Sequence, residues 1–184
     1  MSPVTTRRYT YDDYARLPEG SAYQLIDGEL IMTPAPTPSH QELSGRLYVQ
    51  LSSFVQKHDL GKVYYAPVDV YLSDIDTFQP DIIFISKARL HIITETRVDG
   101  APDIVVEILS PSTGYYDLVH KKNVYESSGV KEYWIVDLAG KTVEVVKDSD
   151  SGFTLHTKAK TQGIVTSSIL AGFQIDVTKL FADL

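Results

Sequence analysis

The sequence has 184 residues, of which 43% are hydrophobic and 22% charged, a composition typical of a folded globular protein. It contains no cysteine, which excludes disulfides, thiolate catalysis and cysteine-ligated zinc. The formal net charge of −7 argues against a protein that holds nucleic acid through many phosphate contacts, because such proteins usually carry a basic excess. A polyanionic substrate would need its charge offset locally, by divalent cations and a few basic side chains.

The length predicts a single domain, residues 1–184, with a sizeable core. No apolar run approaches the roughly 20 residues of a membrane span, and the N-terminus lacks the apolar core of a signal peptide. We therefore expect a cytoplasmic protein that makes no membrane contact.

The first part of the chain predicts a helix, a hairpin and a second, longer helix. Residues 10–17 predict a short capped helix. The Asp-Gly pair at 27–28, between two apolar runs, predicts a β-hairpin with a type I′ turn. The proline-rich segment 33–38 predicts a loop, after which Ser39 and Glu42 match the capping box of an amphipathic helix.

His40 lies one turn ahead of Leu43, the first residue of the apolar stripe on that long helix. It is therefore expected to point toward the sheet rather than into solvent. A structural hydrogen bond and a functional role are both open for His40. For Glu42, a role as cap partner is favoured over catalysis.

The middle of the chain predicts several strands. Residues 63–66 and 68–72 predict two short strands, and the polar, acidic segment 73–78 predicts a turn. Asp81 then precedes the strongly apolar run 82–85, which predicts a buried strand. A carboxylate at the mouth of such a strand is either a strand-end cap or a metal ligand.

The segment 103–134 carries the most information about function. Its β-branched run 104–109 predicts a buried strand that contains Glu107, and an ionised carboxylate there is costly unless a partner neutralises it. Turn and cap residues at 110–114 precede a predicted helix of about four turns, which should end before Gly129.

A strand at 133–136 follows this helix, so the unit predicts a right-handed parallel crossover. Asp117, Lys121 and Tyr125 share one face of the helix because they are spaced four residues apart. The crossover would fold that face back over the strand that carries Glu107.

The C-terminal part predicts further strands or hairpins at 141–147, 153–156 and 163–175, with a final short helix at 177–181. The predicted fold class is α/β, with a central mixed β-sheet flanked by helices and additional β-hairpins.

Asp81, Glu107 and Lys121 can be combined into one site. Two carboxylates on neighbouring strands could hold Mg²⁺ or Mn²⁺, since hard cations prefer oxygen ligands. A nearby ammonium would orient the attacking water or stabilise the transition state, with Tyr125 as its hydrogen-bond partner and Asp117 as its charge partner. A glycosidase pair of carboxylates is the alternative, but it leaves the lysine-bearing helix without a role.

Three segments, 23–41, 79–86 and 100–137, together resemble the Uma-type branch of the PD-(D/E)XK, restriction-endonuclease-like superfamily. That branch is abundant in cyanobacteria and was long carried as a domain of unknown function. The resemblance implies a restriction-endonuclease-like fold and metal-dependent hydrolysis of phosphodiester bonds in nucleic acid, with DNA as the expected substrate.

On this resemblance Asp81 matches the motif aspartate and Glu107 the second acidic residue, and both would bind the metal. Leu109 stands where the motif has its lysine, and Lys121 on the following helix is the matching candidate. Lys122 ranks below Lys121 because it lies about 100° around the helix. His40 and Tyr125 are expected to support the site.

Two other functions remain open from the sequence. A catalytically inactive nuclease fold could bind nucleic acid or a protein partner without cutting. An assembly domain is suggested by the 12 tyrosines and one tryptophan, some of which could be exposed at a self-association surface. A homodimer is the expected oligomeric state.

Overall fold

The computed structural model describes residues 8–18, 20–109 and 115–184, with only the backbone for 115–118. The predicted turn at 110–114 and the side chain of Asp117 lie outside the described residues. The helices are α1 (Tyr11–Tyr14), α2 (Pro38–Lys57), α3 (Tyr115–Ser128) and α4 (Val177–Leu180), with a 3₁₀ helix at Lys87–Ile92. The strands are β1 (Tyr23–Ile26), β2 (Glu29–Met32), β3 (Gly61–Tyr65), β4 (Val70–Ser73), β5 (Asp76–Phe78), β6 (Ile82–Ser86), β7 (Val98–Asp99), β8 (Ile104–Leu109), β9 (Glu132–Asp137), β10 (Thr142–Lys147), β11 (Thr154–Lys160), β12 (Ile164–Thr166) and β13 (Gln174–Asp176).

The largest sheet has six strands in the order β11-β10-β9-β8-β6-β3. It is mixed, because β8 and β9 are parallel whereas its other pairs are antiparallel. A second sheet of five strands has the order β2-β1-β5-β4-β7, and β12 pairs with β13 in a separate hairpin. None of the described helices has the length and hydropathy of a membrane span.

Buried side chains form two clusters on the two faces of the six-stranded sheet, because successive residues of a strand point to opposite faces. On one face Ile82 and Val106 pack with the apolar stripe of α2. On the other, Ile83 and Val105 pack with Tyr125 of α3 and with the five-stranded sheet. The sheet is thus covered on both sides, which explains why β6 and β8 are almost continuously apolar.

The parallel crossover predicted from the sequence is confirmed: β8, α3 and β9 follow one another, and Glu107 pairs with Ile135 in the parallel register. Gly129 directly follows α3 with φ of 88°, a conformation that glycine adopts without strain. The N–H of Val130 donates to the carbonyl of Tyr125, which closes the end of the helix.

The β1–β2 hairpin is confirmed as well. Asp27 and Gly28 both have positive φ, 48° and 74°, as a type I′ turn requires at its two central positions. The buried carboxylate of Asp76 accepts a hydrogen bond from the backbone N–H of Asp27 at 3.0 Å, which joins the turn to the neighbouring strand.

Three sequence predictions are wrong in detail. Helix α2 begins at Pro38, because proline is tolerated in the first turn, where its missing N–H has no partner to lose. Its cap is Thr37, whose Oγ1 accepts from the N–H of His40, instead of the predicted Ser39. Glu42 pairs with Arg46 at 2.5 Å instead of completing a capping box.

The predicted turn at 73–78 contains a buried strand, β5, because Asp76 finds hydrogen-bond donors there and Phe78 is fully buried. Helix α1 ends at Tyr14 instead of continuing to Leu17.

Candidate active site

Asp81 and Glu107 face each other across two neighbouring strands. Asp81 directly precedes β6, and β6 pairs antiparallel with β8 so that Ile82 lies opposite Val106. Continuing this register by one residue places Asp81 opposite Glu107, on the same face of the sheet. The N–H of Ile108 donates to Oδ2 of Asp81 at 2.7 Å, which fixes the aspartate against β8.

His40 reaches the same aspartate from the first turn of α2. Its Nε2 lies 3.4 Å from Oδ1 of Asp81, and both side chains are largely buried. The contact with Asp81 raises the pKa of His40 above its ordinary value and outweighs burial, which acts in the opposite direction. The Asp81 carboxylate therefore stabilises the protonated form of the His40 imidazole.

Glu107 receives two hydrogen bonds from α3, and both go to the same oxygen. Lys121 Nζ donates to Oε1 at 2.9 Å, and the Tyr125 hydroxyl donates to Oε1 at 2.6 Å. The exposed fractions of the Lys121 and Glu107 side chains are only 11% and 12%, so the ion pair is nearly dehydrated. The i, i+4 spacing on α3 therefore delivers both donors to one carboxylate, as the helix face predicts.

The electrostatics of this cluster are strongly perturbed. Burial raises the pKa of the Glu107 carboxyl; the ammonium of Lys121 opposes this shift, and the negative charge of Asp81 adds to it. Burial, together with the nearby Glu107 carboxylate, also raises the pKa of Tyr125 well above its ordinary value. Two carboxyl groups and a lysine thus share one poorly solvated pocket.

Comparison with known proteins agrees with this architecture. The Uma2 family model, described as a putative restriction endonuclease, matches residues 11–178. The chain belongs to the Uma2 family. No curated protein matches it significantly.

A solved structure resembles this Uma2 chain over nearly its whole length. It is a putative nuclease belonging to DUF820 from Anabaena variabilis ATCC 29413, with a TM-score of 0.77 and 20% sequence identity. The match covers 94% of this chain and 97% of that one. The predicted family and the restriction-endonuclease-like fold are therefore confirmed, with the mixed sheet flanked by helices.

The Uma2 site also contains two aromatic residues that the sequence does not single out. The Phe78 ring lies 5.7 Å from Lys121 Nζ and packs edge-on against Tyr125. The Tyr133 ring lies 5.2 Å from that of Tyr125. The β-forming pair Thr77-Phe78, directly before the Asp81 segment, is the sequence feature that could have indicated Phe78. Tyr133 is predicted only as part of the strand at 133–136.

Among the described residues of this Uma2 chain, no group of three or more His, Cys, Asp or Glu side chains is arranged to hold a metal ion. Mg²⁺ commonly binds through one or two carboxylates, completed by waters and substrate phosphates, so a carboxylate pair suits it. Asp81 and Glu107 offer that donor set, and a cation would relieve the repulsion that contributes to the raised pKa of Glu107.

Lys122, the alternative lysine, is only partly buried and has no described contact with Glu107, whereas its neighbour Lys121 is buried against it. The structure therefore brings together Asp81, Glu107, Lys121, His40 and Tyr125.

Proposed function

We propose that this Uma2 protein is a metal-dependent endonuclease that hydrolyses phosphodiester bonds in nucleic acid, with DNA as substrate. The observation that carries the proposal is the opposition of Asp81 and Glu107 on adjacent strands, with Lys121 Nζ 2.9 Å from Oε1 of Glu107. The family description and that of the similar structure both name nucleases and support the same activity.

Asp81 and Glu107 would hold the divalent cation, Mg²⁺ or Mn²⁺, which restriction-endonuclease-like families generally use. When bound, such a cation lowers the pKa of a coordinated water and neutralises developing phosphoryl charge. The cation would also reduce the electrostatic repulsion between the polyanionic substrate and the protein, whose formal net charge is −7.

Lys121 would orient the attacking water or stabilise charge in the transition state, because its ammonium lies 2.9 Å from the Glu107 carboxylate. Tyr125 holds the Glu107 carboxylate in place through its 2.6 Å hydrogen bond. His40 holds Asp81 from the other side, with its Nε2 3.4 Å from Oδ1 of the aspartate.

A second candidate function is binding of nucleic acid without cleavage. It is favoured by Leu109 at the motif lysine position and by the ion pair that engages Lys121 with Glu107 instead of leaving the ammonium open to substrate.

The test combines cleavage and binding. Single- and double-stranded DNA and RNA are incubated with the purified protein and Mg²⁺, Mn²⁺ or EDTA. We expect cation-dependent cleavage that falls at least roughly 100-fold in Glu107→Gln and Lys121→Met. Lys122→Met, one residue along the same helix, is the matched control and should retain activity.

Cleavage that persists equally in both variants would come from a contaminant and would reject the assignment. Oligonucleotide binding without any cation-dependent cleavage would select the non-cutting function.

We also propose that residues 1–184 act as one domain, in the cytoplasm, and as a homodimer. The lack of cysteine supports a reducing compartment. The two apolar clusters share the strands of a single sheet, which supports one folding unit.

A further inference from the structure

An exposed apolar surface lies at one edge of the six-stranded sheet, outside the candidate active site. Tyr65, the last residue of β3, is 59% exposed, and Val49 on α2 is 60% exposed. The Tyr48 ring packs edge-on against that of Tyr65 at 4.7 Å, which joins the helix and the strand into one surface. We call these three residues and the helix face around them the α2–β3 surface.

The helix part of this surface carries no acidic or basic side chain. At 100° per residue, the sector of α2 between Tyr48 and Val49 contains five further residues. These are Pro38, Gln41, Gly45, Ser52 and Gln56, all uncharged.

The ionised pair Glu42 and Arg46 lies just beyond Val49, and its charges neutralise each other at 2.5 Å. A solvated helix normally displays charges on its outer face, so this sector has the composition of an interface.

The strand part of the surface is a sheet edge, since β3 is the last strand of the six-stranded order and no described residue outside that sheet pairs with it. Two backbone hydrogen bonds mark the two ends of the pairing between β3 and β6. One runs from the Lys87 N–H to the Leu60 carbonyl, and the other from the Ala66 N–H to the Asp81 carbonyl. In an antiparallel ladder alternate residues bond to the partner, so the even-numbered residues of β3 face β6. The backbone groups of Val63 and Tyr65 therefore point away from the sheet.

We propose that the α2–β3 surface binds a second copy of this chain, with β3 pairing antiparallel to β3 of the partner. Antiparallel pairing of one strand with its own copy is compatible with two-fold symmetry, which homodimers usually have. The pairing would satisfy the outward backbone groups of Val63 and Tyr65, and the adjacent α2 faces would bury Val49. This inference rests on the homodimer proposed above and names its interface.

Charge favours a second copy over nucleic acid as the occupant. Two molecules of net charge −7 repel each other, so a self-contact requires a surface without like charges, and the α2–β3 surface meets that condition. A polyanion would need cations instead. The only charged residue of β3 is Lys62, which points to the opposite face from Tyr65 because strand side chains alternate.

The other edge of the same sheet provides a matched comparison. Leu155 on β11 is also 59% exposed. However, β11 carries Lys158 and Lys160, and its Thr157 exchanges hydrogen bonds with Thr166 of β12, so that edge is partly covered. We therefore assign no interface to it.

The test is the oligomeric state of the full chain, measured by sedimentation velocity and light scattering over a range of concentrations. We expect a dimer for the wild type and for the control Leu155→Glu. Val49→Glu and Tyr65→Glu should each weaken dimerisation by at least tenfold, because they place a like charge at the interface. Circular dichroism and thermal unfolding of each variant establish that it is folded.

A monomeric wild type would overturn the interface, and so would a dimer that both variants leave intact. If the wild type is monomeric and Tyr65→Leu weakens oligonucleotide binding, the surface belongs to nucleic acid instead. The oligomeric state is measured without substrate, so its outcome is independent of whether the protein cleaves.

Discussion

Lys121 and Glu107 neutralise each other in a nearly dehydrated pocket, with Nζ 2.9 Å from Oε1. Each is costly to bury alone, and the register of β8 and the phase of α3 bring them together. This relationship determines how variants of the site will behave in stability as well as in activity.

We predict strong coupling between Lys121 and Glu107 in the free energy of unfolding. Lys121→Met should destabilise the protein by roughly 3–5 kcal/mol, because it leaves a buried carboxylate without its counter-charge. Adding Glu107→Gln should recover most of that loss. Urea unfolding of the two single variants and the double variant measures the coupling, and additive losses would show that the ion pair contributes nothing specific.

Lys121 should also compete with the cation for Glu107. We predict that Lys121→Met raises Mn²⁺ affinity by roughly tenfold or more, since buried charges a few ångströms apart interact by more than about 1.4 kcal/mol. Glu107→Gln should abolish measurable binding, and Lys122→Met should leave it unchanged. Calorimetry without nucleic acid provides the affinities. Equal affinities in wild type and Lys121→Met would place the cation elsewhere.

Tyr125 and Tyr133 are a matched pair of buried phenols with different partners. The Tyr125 hydroxyl donates to Glu107 at 2.6 Å, whereas the Tyr133 hydroxyl has no hydrogen-bond partner among the described residues. Tyr125→Phe should therefore cost about 1.5–3 kcal/mol, and Tyr133→Phe should be close to neutral or slightly stabilising. Denaturant midpoints of the two variants test this; the reverse order would contradict the assignment of Glu107 as the acceptor.

Asp103 should make stability depend on pH. Burial alone would raise the pKa of Asp103. The opposite effect is larger: hydrogen bonds from Lys131 and from the Ser86 N–H, together with the charge of Arg89, lower the pKa below its ordinary value. A lowered folded-state pKa contributes stability above the unfolded pKa, which is about 3.9 for aspartate. This contribution is lost as the pH falls through the folded-state pKa.

Asp103→Asn should therefore cost about 1–3 kcal/mol near neutral pH, and the difference from wild type should shrink below about pH 4. Asp59→Asn, at an 81% exposed side chain, is the control and should show little effect at any pH. Urea unfolding across the acidic range measures both. A difference independent of pH would mean that the charge of Asp103 contributes nothing to stability.

The sequence predicted the parts of the fold whose signals are local. The turn at Asp27 and Gly28, the strand that carries Glu107 and the helix that ends before Gly129 each follow from a short pattern of residues. The proximity of Lys121 to Glu107 was predictable as well, because a parallel crossover returns the helix over the strand that precedes it.

The remaining features depend on contacts between distant segments. The sequence predicts a turn at strand β5 because Asp76 is polar, and its hydrogen bonds from the Asp27 N–H and the Ser73 hydroxyl explain why it can be buried. The sequence favours Ser39 as the cap of α2 because Pro38, between Thr37 and Ser39, suggests that the helix begins after the proline. The structure begins the helix at Pro38, so Thr37 is the cap. The cluster around Asp103 joins it to Ser86 and Arg89 earlier in the chain and to Lys131 later, and no spacing in the chain indicates it.

The register of β6 against β8 changes only in whole residues, and a slip of one residue would turn the Asp81 side chain to the opposite face from Glu107. The pair of carboxylates therefore forms in an all-or-none manner. In a given molecule Asp81 and Glu107 either lie opposite each other on one face of the sheet or do not form a pair. Variants that disturb this strand pairing should lower the fraction of competent molecules while leaving the behaviour of each competent molecule unaltered.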